Sequence, residues 1–213
     1  MKFNNWVGVS LVSATLVSPI ASAGLITYDF TKDVTHEWGQ KIGSTHMFTE
    51  SGLDLKVSAM EQTGSGWKSN TRDIWRDGTA YGLKGLGVMG PDGDNWEIDG
   101  SGPNEGLKFS FDWEVELVGI QTWFGDDNDD WNLMAKVDGD WQNVFKDKDR
   151  SLYEPTDLWT TDFMVWADHS NDSLTVKKIM VNHKNMASVP EPGTLALIAF
   201  GIAGLITSRR KSL

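Results

Sequence analysis

Leu107-Lys108-Phe109-Ser110-Phe111-Asp112-Trp113 is the stretch on which the fold turns. Apolar and polar residues alternate with a period of two. An extended chain therefore shows Leu107, Phe109, Phe111 and Trp113 to one side and Lys108, Ser110 and Asp112 to the other. This is a strand with one face in a core, and the pattern predicts that Trp113 lies in that core. Leu53–Ala59 repeats it, with Leu53, Leu55, Val57 and Ala59 inward. Outward from these two, Leu25–Phe30, Thr45–Glu50, Leu83–Met89, Val115–Phe124, Leu158–Ala167 and Leu174–Val181 are β-prone, with Gly119 as a bulge position. Trp131–Val137 and Asp140–Phe145 flank Asp138-Gly139, the signature of a type I′ hairpin. Glu61–Gly82 has no period and reads as a long loop, Pro91–Gly106 as turns, and Lys146–Asp157 as charged loop. No helical period appears between residues 24 and 188. About nine short strands between Gly, Asp and Asn turns predict an all-β fold, an antiparallel β-sandwich of jelly-roll-like form.

The two ends of the chain are of another kind. Lys2, the apolar stretch Trp6–Ile20 and Ala21-Ser22-Ala23 form a secretory signal peptide with its cleavage site after Ala23, which makes signal peptidase a partner. At the other end stands Val189-Pro190-Glu191-Pro192-Gly193, followed by the uncharged run Thr194–Thr207 and then Arg209, Arg210 and Lys211. Pro190 and Pro192 prevent a helix from continuing upstream. As a helix the run spans about 21 Å at about 1.5 Å per residue, short of the roughly 30 Å hydrocarbon thickness. The three cations form a basic stop on the cytoplasmic side. The expected plan is a signal peptide at 1–23, a β-sandwich domain at 24–188, and a tail at 189–213 with a short transmembrane helix.

The tail resembles the PEP-CTERM sorting signal of Gram-negative bacteria, whose motif is matched by Pro190-Glu191-Pro192, with the apolar helix and basic end in the expected order. The resemblance implies an exosortase as partner. It also implies an intermediate anchored in the inner membrane, then delivery to the cell surface or extracellular space, and a link to exopolysaccharide or biofilm matrix. The middle of the chain resembles a group of PEP-CTERM surface proteins through Gly85-Leu86-Gly87-Val88, Glu97-Ile98-Asp99-Gly100, Glu105 with Leu107–Phe111, and Asp126–Asp130. That likeness carries over no catalytic residue.

The formal net charge of the chain is −11. Without Lys2, Arg209, Arg210, Lys211 and Glu191, residues 24–188 hold 15 basic and 29 acidic residues, net −14. Such a surface argues against nucleic acid or anionic lipid as partner and suits divalent cations or neutral glycans. There is no cysteine, so core packing or metal must hold the domain together.

Three constellations could carry chemistry. Asp126-Asp127-Asn128-Asp129-Asp130 puts hard oxygen ligands within one turn, as calcium requires, although the EF-hand Gly and Glu positions hold Trp131 and Val137. Asp92, Asp94 and Asn95 form a weaker cluster of the same kind. Ten tryptophans remain after residue 23. Trp67, Trp75, Trp96 and Trp131 lie in or beside expected loops, where rings can stack on the apolar face of a sugar while adjacent carboxylates bind its hydroxyls. The plain alternative is that they fill the ends of the core. Glu97-Ile98-Asp99 would suit a glycan hydrolase or lyase only with a second acid nearby, and Ser101 stands where it belongs. Asp112, Glu114 and Glu116 alternate, as solvated acids on an outer face commonly do. His36, His46, His169 and His183 share no metal-ligand spacing. The expectation is therefore a binding or structural surface protein that engages exopolysaccharide or other matrix and is not an enzyme. The alternatives are a glycan-active enzyme and a purely structural protein.

Overall fold

One strand of 20 residues, Glu105–Phe124, takes the place of the two strands expected there. In the computed structural model, which describes residues 24–32, 36, 38–78, 85–90, 96–124, 126–149 and 151–183, it is the ninth of fourteen strands. These are β1 (Gly24–Asp29), β2 (Gln40–Lys41), β3 (Thr45–Glu50), β4 (Leu53–Thr63), β5 (Gly66–Ser69), β6 (Asp73–Arg76), β7 (Leu86–Met89), β8 (Ile98–Asp99), β9 (Glu105–Phe124), β10 (Trp131–Val137), β11 (Asp140–Lys148), β12 (Leu152–Tyr153), β13 (Trp159–Trp166) and β14 (Ser173–His183). They pair antiparallel, and no helix occurs among the described residues. The described residues fall in one compact unit, Ala23–Lys184. The signal peptide, the Asp92/Asp94/Asn95 cluster and the whole sorting tail lie outside the described residues.

The two halves of β9 have different neighbours. Residues 105–111 pair with β4, and residues 106–110 with β13 on the other side. Residues 116–124 pair with β14, and Ile120 and Gln121 with β12. Between the halves the ladder breaks. Pairing with β4 ends at Leu55↔Phe111, and pairing with β13 jumps from Asp162↔Ser110 to Thr160↔Val115. Four β9 residues thus oppose one on β13. Asp112, Trp113 and Glu114 swing out of the sheet, and Trp113 is 61 % exposed. This overturns the core assignment of Trp113: the alternation holds only while the ladder does. A second register shift falls beside Gly119, between Met180↔Gly119 and Val181↔Leu117.

The inward positions of β4, β9, β13 and β10 (Leu55, Val57, Leu107, Phe109, Phe163, Val165 and Leu133) are fully buried. So are Val176, Ile179 and Val181 of β14, with Ile26 and Tyr28 of β1 nearly so. Aromatic contacts join the two groups. Tyr28 meets Phe111 at 6.0 Å, and Phe30 meets Phe48 at 4.9 Å and Phe109 at 6.3 Å between ring centres. The Tyr28 hydroxyl donates to the Leu53 carbonyl at 2.7 Å.

The hairpin at Asp138-Gly139 forms as expected, with φ of 53° and 91°, the positive pair a type I′ turn requires. The long loop at Glu61–Gly82 does not exist as such. Glu61–Thr63 belongs to β4, and β5 and β6 follow. These are strands of four residues, too short to show a period. Arg72, between them, reaches Glu61 at 3.6 Å and the fully buried Glu105 at 3.0 Å. Likewise Lys146–Lys148 extends β11, and β12 lies within the expected charged loop.

Candidate functional site

The outward positions of β4, β9, β13, β10 and β11 come together by register. Ser58, Lys108, Met164, Met134 and Asn143 are successive partners across these strands, one continuous rung. The adjacent rung runs Met60, Gly106, Trp166, and Gln62 stands opposite Trp67. Side chains two apart on a strand share a face, so these residues make one surface. Met60, Met164 and Trp166 are buried there, with Trp67 and Met134 packed on them. The result is a trough of about 550 Å³, flanked by Trp67 on β5 and by Trp141 and Asn143 on β11. That volume is in the range of small-molecule sites, about 300–1,000 Å³.

Two cations line the trough. Lys108 Nζ lies 5.7 Å over the Trp141 ring and is paired with Asp162 at 2.9 Å. Lys146 Nζ lies 5.5 Å over the Trp166 ring. Trp67 meets Trp166 edge-on at 5.5 Å, and Trp141 is 43 % exposed. The polar partners are Gln62, Ser65 and Asn143, and no carboxylate lines the trough among the described residues. An apolar floor, open aromatic faces, amides and cations suit a ligand with an apolar face and a polar or anionic rim.

Of the four tryptophans singled out in the sequence, the structure places one here. Trp67 is in the trough. Trp131 is fully buried, edge-on to Phe145 at 4.7 Å and to Tyr153 at 6.2 Å, so it is a core residue and offers no face to a glycan. Trp75 and Trp96 stack on each other at 5.3 Å, which uses one face of each. Trp141 and Trp166 were missed. The signal for Trp141 was its place on the outward side of the hairpin, in register with Lys136.

The acidic segment divides. Asp126, Asp127 and Asn128 are exposed and close a turn on themselves: the Asp126 amide donates to Asp129 at 2.7 Å, and the Asn128 amide to Asp126 at 2.8 Å. Asp129 is buried. Asp130 meets acids from elsewhere, Asp147 and Asp168, together with His169, and the charge of Asp129 bears on Glu97. Burial, then the charges of Asp172 and Asp147, push the Asp130 carboxyl up to about 6.

The acids weighed for catalysis are dispersed. Glu97 accepts from the Ser173 hydroxyl. Asp99 is buried and accepts the Ser101 amide at 2.8 Å. Glu114 is exposed on the projecting segment, and Glu116 accepts from Asn182 at 2.9 Å. Burial above all, then Glu97, raises Asp77 to about 7.

The described domain is all-β, with an aromatic trough on one outer sheet face. The PEP-CTERM protein-sorting motif matches residues 188–211 of the chain. The chain thus carries an exosortase-dependent sorting signal and is directed toward the cell surface or extracellular space. Two curated relatives, UDP-N-acetylmuramate–L-alanine ligases from two strains of Lactobacillus delbrueckii subsp. bulgaricus, are each 26 % identical over 167 residues. The matches take in 70 % of this chain, which spans only 38 % of the length of those relatives. This sequence contains no glycine-rich phosphate-cradling loop of the Gly-x-x-x-x-Gly-Lys type.

Proposed function

We propose that this chain is an extracellular-matrix or cell-surface protein that binds exopolysaccharide in the trough between Trp67 and Trp141, and that its preferred ligand is an acidic polysaccharide. The single observation behind this reading is the trough's lining among the described residues: three tryptophans, two lysines, amides and no carboxylate, on a domain of net charge −14. Stacking on Trp67 and Trp141 would bind the apolar face of a sugar ring, Gln62 and Asn143 its hydroxyls, and Lys108 and Lys146 its carboxylate. The neutral glycan expected from overall charge alone becomes the second choice, because Lys146 and the Asp162-paired Lys108 both stand in the trough. The lack of an acid pair at the trough favours binding over catalysis, since glycoside hydrolysis needs two carboxyls about 5–10 Å apart. The two groups of buried strands joined through Tyr28, Phe30, Phe109 and Phe111 support a sandwich. On this reading signal peptidase removes residues 1–23, and the apolar run at 194–207 anchors the chain in the inner membrane until exosortase acts.

The test is calorimetric titration of the purified full chain in mild detergent with polygalacturonate and with neutral dextran. The acidic polymer is expected to bind, and Trp141→Ala with Trp67→Ala to weaken it roughly tenfold or more, as loss of an aromatic anchor does. Lys146→Gln is expected to narrow the gap between acidic and neutral polymers. Equal binding by wild type and the double tryptophan variant would remove the trough from the account. Release of new reducing ends from the polymer would make the protein an enzyme.

A further inference from the structure

A second cluster shares no residue with the trough's described lining, and the inference from it is independent of the glycan reading. The registers Trp131↔Lys148 and Asn132↔Trp166 bring the start of β10, the end of β11 and the end of β13 together. Asp130, Asp147, Asp168 and His169, distant in sequence, therefore meet, each offering one ligand atom within 4.8 Å of all the others. We propose that these residues form a divalent-cation site and that calcium is the ion it takes.

Three observations support it. The first is donor chemistry. Three of the four groups are carboxylates, the hard oxygen ligands that calcium takes, and the His169 imidazole is the one donor that suits zinc instead. The second is orientation. Asn132, fully buried, donates to the Asp168 carboxylate at 2.7 Å and accepts the Asp147 amide at 3.1 Å. One interior side chain thus holds two of the ligands, as groups behind a metal shell do. The third is an orphaned oxygen. Asp172 is 1 % exposed, and its Oδ2 accepts the His169 amide at 2.9 Å and lies 3.6 Å from His169 Nδ1. Its Oδ1 is buried with no hydrogen-bond partner among the described residues, and so is Oδ1 of Asp130. Buried carboxylate oxygens left unpaired are costly unless something positive meets them. The turn that carries His169 is seated firmly: a Cβ on Gly100 would come within 2.3 Å of the His169 carbonyl oxygen. The exposed acids Asp126 and Asp127 lie outside this cluster.

The experiment is calorimetric titration of the EDTA-treated full chain with CaCl₂, then with ZnCl₂, alongside a thermal melt of each sample. Wild type is expected to bind one calcium with a Kd of about 10⁻⁴–10⁻³ M, the range of extracellular modules, and to melt at a higher temperature with calcium present. Asp147→Asn with Asp168→Asn is expected to weaken binding more than tenfold. Asp126→Asn with Asp127→Asn leaves it unchanged and serves as the folded control. The proposal fails if wild type binds no calcium at millimolar concentrations, if the Asp126/Asp127 variant loses binding instead, or if both variants bind like wild type. Zinc binding tighter than calcium and abolished by His169→Ala would overturn the choice of ion.

Discussion

The Arg72 side chain is only 9 % exposed and meets Glu61 and Glu105. Breaking a buried ion pair from one side leaves an uncompensated charge and costs about 3–5 kcal/mol. Arg72→Met should therefore lower stability in denaturant titration by about that amount, and adding Glu105→Gln should restore part of it. Asp77 supplies a pH signature. Its carboxyl, about 7 in the folded state against roughly 3.9 unfolded, makes the folded chain hold more protons between those values, so stability falls as pH rises from about 4 to 7. Glu97 is raised too, by burial first and then by Asp129 and Asp99. Asp162 works in the opposite direction: burial raises it, but hydrogen bonds from Ser110 and Lys108 hold it lower overall, and its contribution is lost on acidification. The melting temperature should peak in mildly acid buffer and decline toward pH 8, and Asp77→Asn should flatten that decline. A melting temperature still rising from pH 5 to 8 in wild type would contradict the burial of Asp77 in this form.

At the level of elements, β9 separates what was legible from what was not. Its alternation was plain, and so was its partner β4, because each shows one apolar face over several residues. The hairpin of β10 and β11 was equally plain, since Asp-Gly with flanking strands has a single local explanation. What could not be read was the break at Asp112–Glu114. That break depends on where β4 stops pairing and β13 slips register, and no local pattern encodes a partner's register. The consequence is testable. Trp113→Ser should change stability by no more than about 0.5 kcal/mol, as substitutions of exposed residues usually do. Phe109→Ala, four residues away and fully buried, should cost about 3–5 kcal/mol. Equal costs in denaturant titration would return Trp113 to the core. The short strands β2, β5, β6, β8 and β12 escaped notice for a simpler reason: two to four residues cannot display a period.

Across the whole molecule, the destination was the most legible property, since a sorting motif is read linearly and Val189–Pro192 with its basic end carries it unaided. The trough was half legible. Trp67 could be suspected from composition, but Lys108, Met134, Trp141 and Met164 meet only because five strands fall into register. The same holds for Asp147, Asp168 and His169, which have no shared spacing in the sequence. The central claim is that the trough is the face that meets polysaccharide, and the most direct test is hydroxyl-radical footprinting of the full chain with and without polygalacturonate. Trp113 and Trp38, 61 % and 57 % exposed, are the internal controls. Protection of Trp67, Trp141 and Met134 with Trp113 and Trp38 unchanged is the predicted result. Protection of Trp113 or Trp38 while Trp67 and Trp141 stay open to oxidation would contradict it.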